Sequence, residues 1–139
     1  EAERVYRTAA RRSALARADF VVLTLPLSDA TRGLLGAAEL GAMKASAWLI
    51  NVARGPIVDE AALLAALRGG RLGGAVLDVF DTEPLPPEHP FWRMDNVVVT
   101  PHISGPSTPR EIGPIFADNL RRYVAGRPLR YQVDRPRGY

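Results

Sequence analysis

The sequence predicts an α/β fold built on a parallel sheet. Four short runs rich in Val, Leu and Ile alternate with helical patterns, as in successive βαβ units. The runs are almost continuously apolar, which is typical of parallel strands buried on both faces and not of a half-exposed antiparallel sheet. The four predicted strands are residues 20–25, 48–52, 75–79 and 97–100.

Two predicted helices lie between these strands. A weaker one covers about residues 37–43, where Gly41 lowers the helix propensity. The stronger one begins after Asp59, a favourable N-cap, and its leucines form one apolar face. Gly69 and Gly70 end this helix, because glycine readily takes the backbone conformation that closes a helix.

A third predicted helix follows the last strand. Residues 108–111 read Thr-Pro-Arg-Glu, a capping box with proline at the first helical position. An apolar stripe continues from there to Tyr123. Pro114 lacks the N–H that would bond to the carbonyl of Arg110, so we expect either a kink or a later start of the helix.

Composition limits the class of protein. The 139 residues suit one compact domain or a piece of a larger one, and the absence of cysteine excludes disulfides and thiolate metal sites. The net charge of +3 rests on scattered arginines, and the 7% aromatic residues do not interleave with them, so no nucleic-acid partner is expected. No apolar run reaches membrane-spanning length. We therefore expect a soluble cytoplasmic chain with no membrane partner and no metal site.

Polar residues follow the predicted strands where each one ends. Arg54 comes after the second strand, Glu83 after the third and His102 after the fourth. Ligands bind outside the carboxyl ends of strands in an open parallel sheet, so these side chains should meet in one cleft. Singly, each has an ordinary interpretation: a solvated arginine, a loop carboxylate and a structural histidine. Together they form an acid–base pair beside an anion-binding group.

Several segments resemble the D-2-hydroxyacid dehydrogenase family. Residues 51–60, 78–85 and 96–103 are similar to its three signatures, and residues 18–27 also fit. The resemblance extends from about Ala18 to the C-terminus and is closest to the glyoxylate/hydroxypyruvate reductase-like branch. It implies a Rossmann-like, doubly wound parallel sheet and NAD or NADP as the cofactor.

The resemblance also implies catalytic roles. Arg54 would bind the carboxylate and carbonyl of a small 2-oxo acid, since its planar fork suits that geometry. His102 would protonate the carbonyl oxygen and act as the base in the reverse direction. Glu83 would hydrogen-bond the other imidazole nitrogen, fix the ring and favour its protonated form.

Cofactor contacts are implied in the same way. Asp78 would contact the nicotinamide carboxamide, although a role as a strand-end cap remains an alternative. The backbone around Pro26, Val52 and Ala53, together with Thr31, would line the cofactor site. The full implied set is Leu25, Pro26, Thr31, Val52, Ala53, Arg54, Asp78 and His102.

Some expected parts of such an enzyme are not found. No G-x-G-x-x-G loop occurs, so we interpret residues 1–106 as a partial NAD(P)-binding domain that lacks the first strands. Residues 107–139 would be a helix and tail returning to an absent substrate domain. We expect the chain alone to bind NAD(P) weakly and to turn over little. An exposed sheet edge and apolar helix faces should favour a homo-oligomer.

Three interpretations of function stay open. The first is an NAD(P)-dependent D-2-hydroxyacid dehydrogenase, present as a C-terminal fragment. The second is a protein-interaction module on the same NAD-binding fold, as in transcriptional corepressors that also keep the three catalytic residues. The third is a catalytically inactive remnant of the family. Retention of Arg54, Glu83 and His102 favours the enzyme.

Overall fold

A four-stranded parallel sheet forms the centre of the computed structural model, which describes residues 6, 8–105 and 107–136. The strands lie in chain order: β1 (Phe20–Leu23), β2 (Trp48–Asn51), β3 (Gly74–Leu77) and β4 (Val97–Val99). The predicted parallel α/β sheet is confirmed, and each strand ends one or two residues before its predicted end. Residues 1–5, 7, 106 and 137–139 of the two predicted units lie outside the described residues.

Four α-helices accompany the sheet within the described residues: α1 (Arg11–Leu15), α2 (Ala37–Ala42), α3 (Glu60–Arg68) and α4 (Pro109–Val124). Short 3-10 turns cover Thr8–Ala10, Gly55–Ile57 and Pro90–Arg93. Helix α1 is absent from the sequence prediction, because five residues are too few to show an apolar period. None of the described helices has the length and apolarity needed to cross a bilayer.

Helix α3 forms as its sequence predicts. The side chain of Asp59 accepts a hydrogen bond from the backbone N–H of Ala62 at 3.0 Å, which caps the helix. Leu63 and Leu67 are buried in the same core cluster as Leu49 and Leu77 of the sheet. This helix therefore packs against the two middle strands of the sheet.

The two faces of the sheet differ in burial. Leu23, Leu49 and Leu77 point toward the helices and are at most 5% exposed. On the opposite face Val22 and Val98 are 54% and 49% exposed. The expectation that the strands are buried on both faces is therefore wrong for β1 and β4. Helices α2 and α3 contact each other and share one core cluster, so both crossovers cover the same face.

Helix α4 begins before Pro114, so the predicted alternative of a later start at this proline is wrong. Thr108 and Glu111 form the predicted capping box, and the helix starts at Pro109 rather than after Pro114. The carbonyl that Pro114 leaves without its helical partner belongs to Arg110, an exposed residue in the first turn, where water can bond to it. No residue of α4 is buried, so its apolar stripe faces outward.

Candidate active site

His102 lies in the loop that leaves β4. Its backbone has a φ of +54°, in the left-handed region that few residues other than glycine adopt. Its ring Nδ1 lies 2.7 Å from Oε2 of Glu83, and both side chains are partly exposed. Because a carboxylate only accepts, the imidazole donates from Nδ1. This arrangement leaves Nε2 as the ring nitrogen that can exchange a proton with a substrate.

Both carboxylate oxygens of Glu83 are held. Oε1 accepts a hydrogen bond from the backbone N–H of Phe80 at 2.9 Å, while Oε2 bonds to His102. Burial raises the pKa of Glu83, but the hydrogen bonds from His102 and Phe80 and the charges of His102 and Arg54 outweigh it and lower the pKa. The carboxylate is therefore ionised and fixed in position at neutral pH.

Arg54 is placed by a turn that Asn51 organises. Asn51, the last residue of β2, is 2% exposed; its amide donates to the Arg54 carbonyl at 3.1 Å and accepts from the Ala53 N–H at 3.1 Å. The exposed guanidinium of Arg54 donates to the Ala53 carbonyl at 2.6 Å. Sequence reasoning missed the role of Asn51, whose only signal is a polar residue inside an apolar run.

Gly55 brings this turn against the loop that carries Glu83. A Cβ atom at position 55 would lie 2.1 Å from the carbonyl carbon and oxygen of Phe80 and 2.6 Å from the N of Asp81. No side chain fits in that space. The absence of a side chain at Gly55 therefore lets the Arg54 turn and the start of the Glu83 loop pack backbone to backbone.

Asp78 binds the loop of His102 rather than facing open space. It is 1% exposed, and its carboxylate accepts from the Thr100 hydroxyl, the Ile103 N–H at 3.0 Å and the Ser104 N–H at 2.9 Å. Burial raises the pKa of Asp78, but these hydrogen bonds outweigh it and lower the pKa to about 2. The buried group is therefore a fixed negative charge.

A cavity of about 480 Å³ opens beyond the ends of β1 and β2. Its lining combines apolar residues with Arg54, and such a mixture of apolar surface with a few polar groups is typical of small-molecule sites. Five residues of the implied cofactor set line this cavity: Leu25, Pro26, Val52, Ala53 and Arg54. Thr24 and Leu27, which are not in that set, complete the lining.

Thr31 is not part of that lining. Its hydroxyl donates to the Pro26 carbonyl at 2.8 Å and accepts from the Ser28 N–H at 2.7 Å. These bonds close the loop that follows β1, so Thr31 shapes the wall that Pro26 presents to the cavity.

A second cavity of about 480 Å³ adjoins the Glu83–His102 pair. Its lining includes Leu85, Trp92 and Val99. Trp92 belongs to no sequence motif, and its side chain is 52% exposed. Its indole N–H donates a hydrogen bond to the Pro86 carbonyl at 2.9 Å. Among the described residues no three His, Asp or Glu side chains are grouped as metal ligands would be.

The structure thus brings three of the predicted residues to one edge of the sheet. Arg54, Glu83 and His102 leave three adjacent strands, β2, β3 and β4, at their carboxyl ends. The Glu83–His102 hydrogen bond is direct, whereas Arg54 acts on Glu83 through its charge. This is the geometry of an oriented acid–base group with a cation beside it.

Comparison with known proteins identifies the family. The model of the D-isomer specific 2-hydroxyacid dehydrogenase NAD-binding domain matches residues 1–104. A glyoxylate/hydroxypyruvate reductase B of Citrobacter koseri is 46% identical over 115 residues, covering 81% of this chain and 36% of the relative. A protein of Corynebacterium melassecola is 46% identical over 128 residues, covering 89% of this chain and 41% of its own length. The chain thus spans about two fifths of these relatives.

Two solved structures show the same fold. A D-isomer specific 2-hydroxyacid dehydrogenase from Xanthobacter autotrophicus Py2, in complex with NADPH and MES, matches with a TM-score of 0.90 and 51% identity, over 94% of this chain and 54% of its own. A glyoxylate/hydroxypyruvate reductase from Sinorhizobium meliloti, in complex with NADP and sulfate, matches with a TM-score of 0.89 and 39% identity, over 99% of this chain and 47% of its own. The implied Rossmann-like fold is confirmed. The chain belongs to the D-isomer specific 2-hydroxyacid dehydrogenase family, and its residues 1–104 match the NAD-binding domain of that family.

Proposed function

We propose that this chain carries the catalytic residues of an NAD(P)-dependent D-2-hydroxyacid dehydrogenase, which interconverts a small 2-oxo acid and its D-2-hydroxy acid. The observation that carries the proposal is the 2.7 Å hydrogen bond between His102 Nδ1 and Glu83. It fixes the tautomer and the direction of an imidazole at the carboxyl edge of the sheet.

His102 is the proposed acid and base. In the reducing direction Nε2 donates its proton to the carbonyl oxygen of the 2-oxo acid, and in the oxidising direction it takes the hydroxyl proton. Glu83 stabilises the imidazolium, because its lowered pKa keeps it ionised across the neutral range. A bound nicotinamide cofactor supplies or accepts the hydride.

Arg54 is the proposed binding group for the substrate carboxylate. One nitrogen of its guanidinium donates to the Ala53 carbonyl, which aims the group, and the remaining donors suit a planar carboxylate. The cavity beside Arg54 is the proposed place for the nicotinamide, held by Leu25, Pro26, Val52 and Ala53. We propose glyoxylate and hydroxypyruvate as substrates, because relatives of the chain are named reductases of these acids.

The test measures reduction of glyoxylate and hydroxypyruvate with NADH and NADPH separately, for the wild type and His102→Gln, in the longer protein that would contain this chain, because the chain alone is expected to turn over little. We expect His102→Gln to lower kcat/KM by about 10² to 10⁴, the usual contribution of a positioned acid–base group. His89→Gln is a matched control, since the other histidine of the chain bonds to Glu60 at 3.2 Å and stands outside the proposed site. Equal activity of wild type and His102→Gln would exclude the proposal.

A further inference from the structure

A polar side chain ends β2 at a place where packing alone would favour an apolar one. Asn51 is 2% exposed, and the residues beside it in the neighbouring strands are Leu23 and Leu77. Both leucines belong to the core cluster that the helices cover. Burying an amide among such side chains costs free energy unless its polar atoms are hydrogen-bonded. The hydrogen bonds of Asn51 therefore indicate its role.

Both polar atoms of the Asn51 side chain bond to the turn that carries Arg54. Oδ1 accepts from the Ala53 N–H at 3.1 Å, and Nδ2 donates to the Arg54 carbonyl at 3.1 Å. Oδ1 thus holds the peptide group before Ala53, and Nδ2 holds the peptide group after Arg54. Because peptide groups are planar and both of these are fixed, the one between them has little freedom left to rotate.

That middle peptide group directs the guanidinium of Arg54. Its carbonyl, which belongs to Ala53, accepts a hydrogen bond from the guanidinium at 2.6 Å. Among the described residues this is the one hydrogen bond that the exposed guanidinium makes. The direction of the Arg54 side chain therefore depends on Asn51, through a carbonyl that Asn51 does not itself contact.

The turn is held from a second side as well. The backbone of Gly55, the next residue, packs against the backbone of Phe80 so closely that a Cβ at position 55 would lie 2.1 Å from the Phe80 carbonyl. Asn51 and Phe80 thus fix the turn at its start and at its end. The guanidinium of Arg54 projects from this fixed base beside the cavity that Val52 and Ala53 also line.

We propose that Asn51 is a positioning residue, which directs Arg54 toward the carboxylate of the substrate by fixing the turn 51–54. Asn51 acts through Arg54, because its own side chain is buried. The effect on substrate binding rests on the proposed function, whereas the effect on the turn rests on the hydrogen bonds of Asn51 and Arg54 alone.

Asn51→Leu in the longer protein that would contain this chain tests the effect on substrate binding. Leucine has nearly the shape of asparagine and suits the apolar surroundings, but it removes both bonds to the turn. We expect KM for glyoxylate and hydroxypyruvate to rise by about tenfold or more and kcat to change by less than about threefold, because a misdirected carboxylate-binding group weakens ground state and transition state alike. A merely structural fault would reduce the amount of active enzyme without raising KM.

Asn96→Leu is the matched control. Asn96 precedes β4 at the amino-terminal edge of the sheet, away from Arg54, and its side-chain amide also donates to a backbone carbonyl, that of Leu67 at 3.5 Å. Asn96→Leu should leave KM unchanged. An equal rise in KM for both variants, or a wild-type KM in Asn51→Leu, would overturn the inference.

Asn51→Ser is the second variant, for use if Asn51→Leu does not fold. The serine hydroxyl can still accept from the Ala53 N–H, but it is too short to reach the Arg54 carbonyl. We expect KM to rise in this variant too, and a wild-type KM would count against the inference.

Amide exchange in the 139-residue chain tests the turn without any turnover. In Asn51→Leu the Ala53 N–H loses its acceptor, so we expect its exchange to accelerate by about tenfold. The Asp78 N–H bonds to the backbone carbonyl of Asn51 at 3.0 Å and should exchange as in the wild type, because the substitution keeps that carbonyl. Unchanged exchange at Ala53, or the same acceleration at both amides, would refute the role of Asn51.

The two measurements separate failure of this inference from failure of the proposed function. If the wild type reduces neither acid, the proposed function fails, and exchange at Ala53 still decides whether Asn51 holds the turn. If the wild type is active while Asn51→Leu keeps both its KM and its Ala53 exchange rate, the inference alone fails.

Discussion

At the level of single residues, the site depends on carboxylates that are each held by more than one donor. Glu83 bonds to Phe80 and His102, and Asp78 bonds to Thr100, Ile103 and Ser104. Each carboxylate joins its own segment of the chain to the loop that carries His102. A change at either residue therefore alters geometry as well as charge.

Replacing Glu83 with glutamine separates the two effects. Glutamine can still accept from His102 Nδ1 but carries no charge to stabilise an imidazolium. We expect kcat/KM to fall by about tenfold to a hundredfold, the effect of losing a charged hydrogen-bond partner. Glu88→Gln, an exposed position in the same loop, is the control and should keep full activity. If Glu83→Gln matched the wild type, charge stabilisation by Glu83 would be refuted.

Asp78 predicts how stability depends on pH. Its pKa of about 2 lies below the ordinary 3.8, so folding favours the ionised form. That stabilisation is complete above the unfolded value and is lost as pH falls from about 4 toward 2. The free energy of unfolding should fall by about 2 kcal/mol more over this range in the wild type than in Asp78→Asn. Urea denaturation at each pH measures this, and parallel curves for the two proteins would contradict it.

At the level of secondary-structure elements, the close approach of two loops limits what position 55 accepts. Gly55→Ala would place a Cβ 2.1 Å from the Phe80 backbone, which must move and carry Glu83 with it. We expect a loss of about 1–3 kcal/mol in unfolding free energy, as in other overpacked sites, and lower activity. Thermal and urea unfolding, with kcat/KM, measure both effects.

Gly41→Ala is the matched control. Gly41 lies in α2, a Cβ added there would meet nothing within 4 Å, and alanine favours a helix. The same substitution should therefore stabilise the chain by about 0.5–1 kcal/mol. Destabilisation by both substitutions to the same extent would show that contact with Phe80 is not the cause at Gly55.

For the molecule as a whole, the exposed apolar side chains of the described residues include two groups that each share one face of the sheet or of a helix. One is the outer face of the sheet, with Val22 and Val98, and the other is the stripe of α4, where Phe116 and Leu120 are 68% and 51% exposed. Apolar patches of this kind mark surfaces that bind another domain or chain. We propose that the apolar stripe of α4 packs against a second copy of this chain.

This proposal predicts self-association of the chain through α4. Light scattering at high concentration should give a mass above that of a monomer, and Phe116→Ser with Leu120→Ser should lower it. At a concentration low enough for the wild type to be monomeric, the melting temperature should stay the same, because neither residue is buried. A wild-type monomer at every concentration would contradict the prediction, as would a large drop in melting temperature. Ala125→Ser, at the exposed end of α4, serves as the control.

Local sequence signals were enough to predict the class of fold and the edge of the sheet where the site lies. Apolar runs, the Asp59 cap and the capping box at Thr108 each depend on neighbouring residues alone, so the four strands and three of the four described α-helices could be predicted within one or two residues, whereas α1 was missed. The parallel arrangement then placed Arg54, Glu83 and His102 together, because parallel strands share one carboxyl edge.

Which side chains hold that site, and which strand faces are covered, depends on tertiary contacts. The partners of Asp78 lie 22 to 26 residues away, and the contact of Gly55 with Phe80 joins two separate loops. No local pattern encodes such distances. The exposure of Val22 and Val98 likewise depends on both crossover helices packing on one face, and an apolar run looks the same whether one face or both are covered.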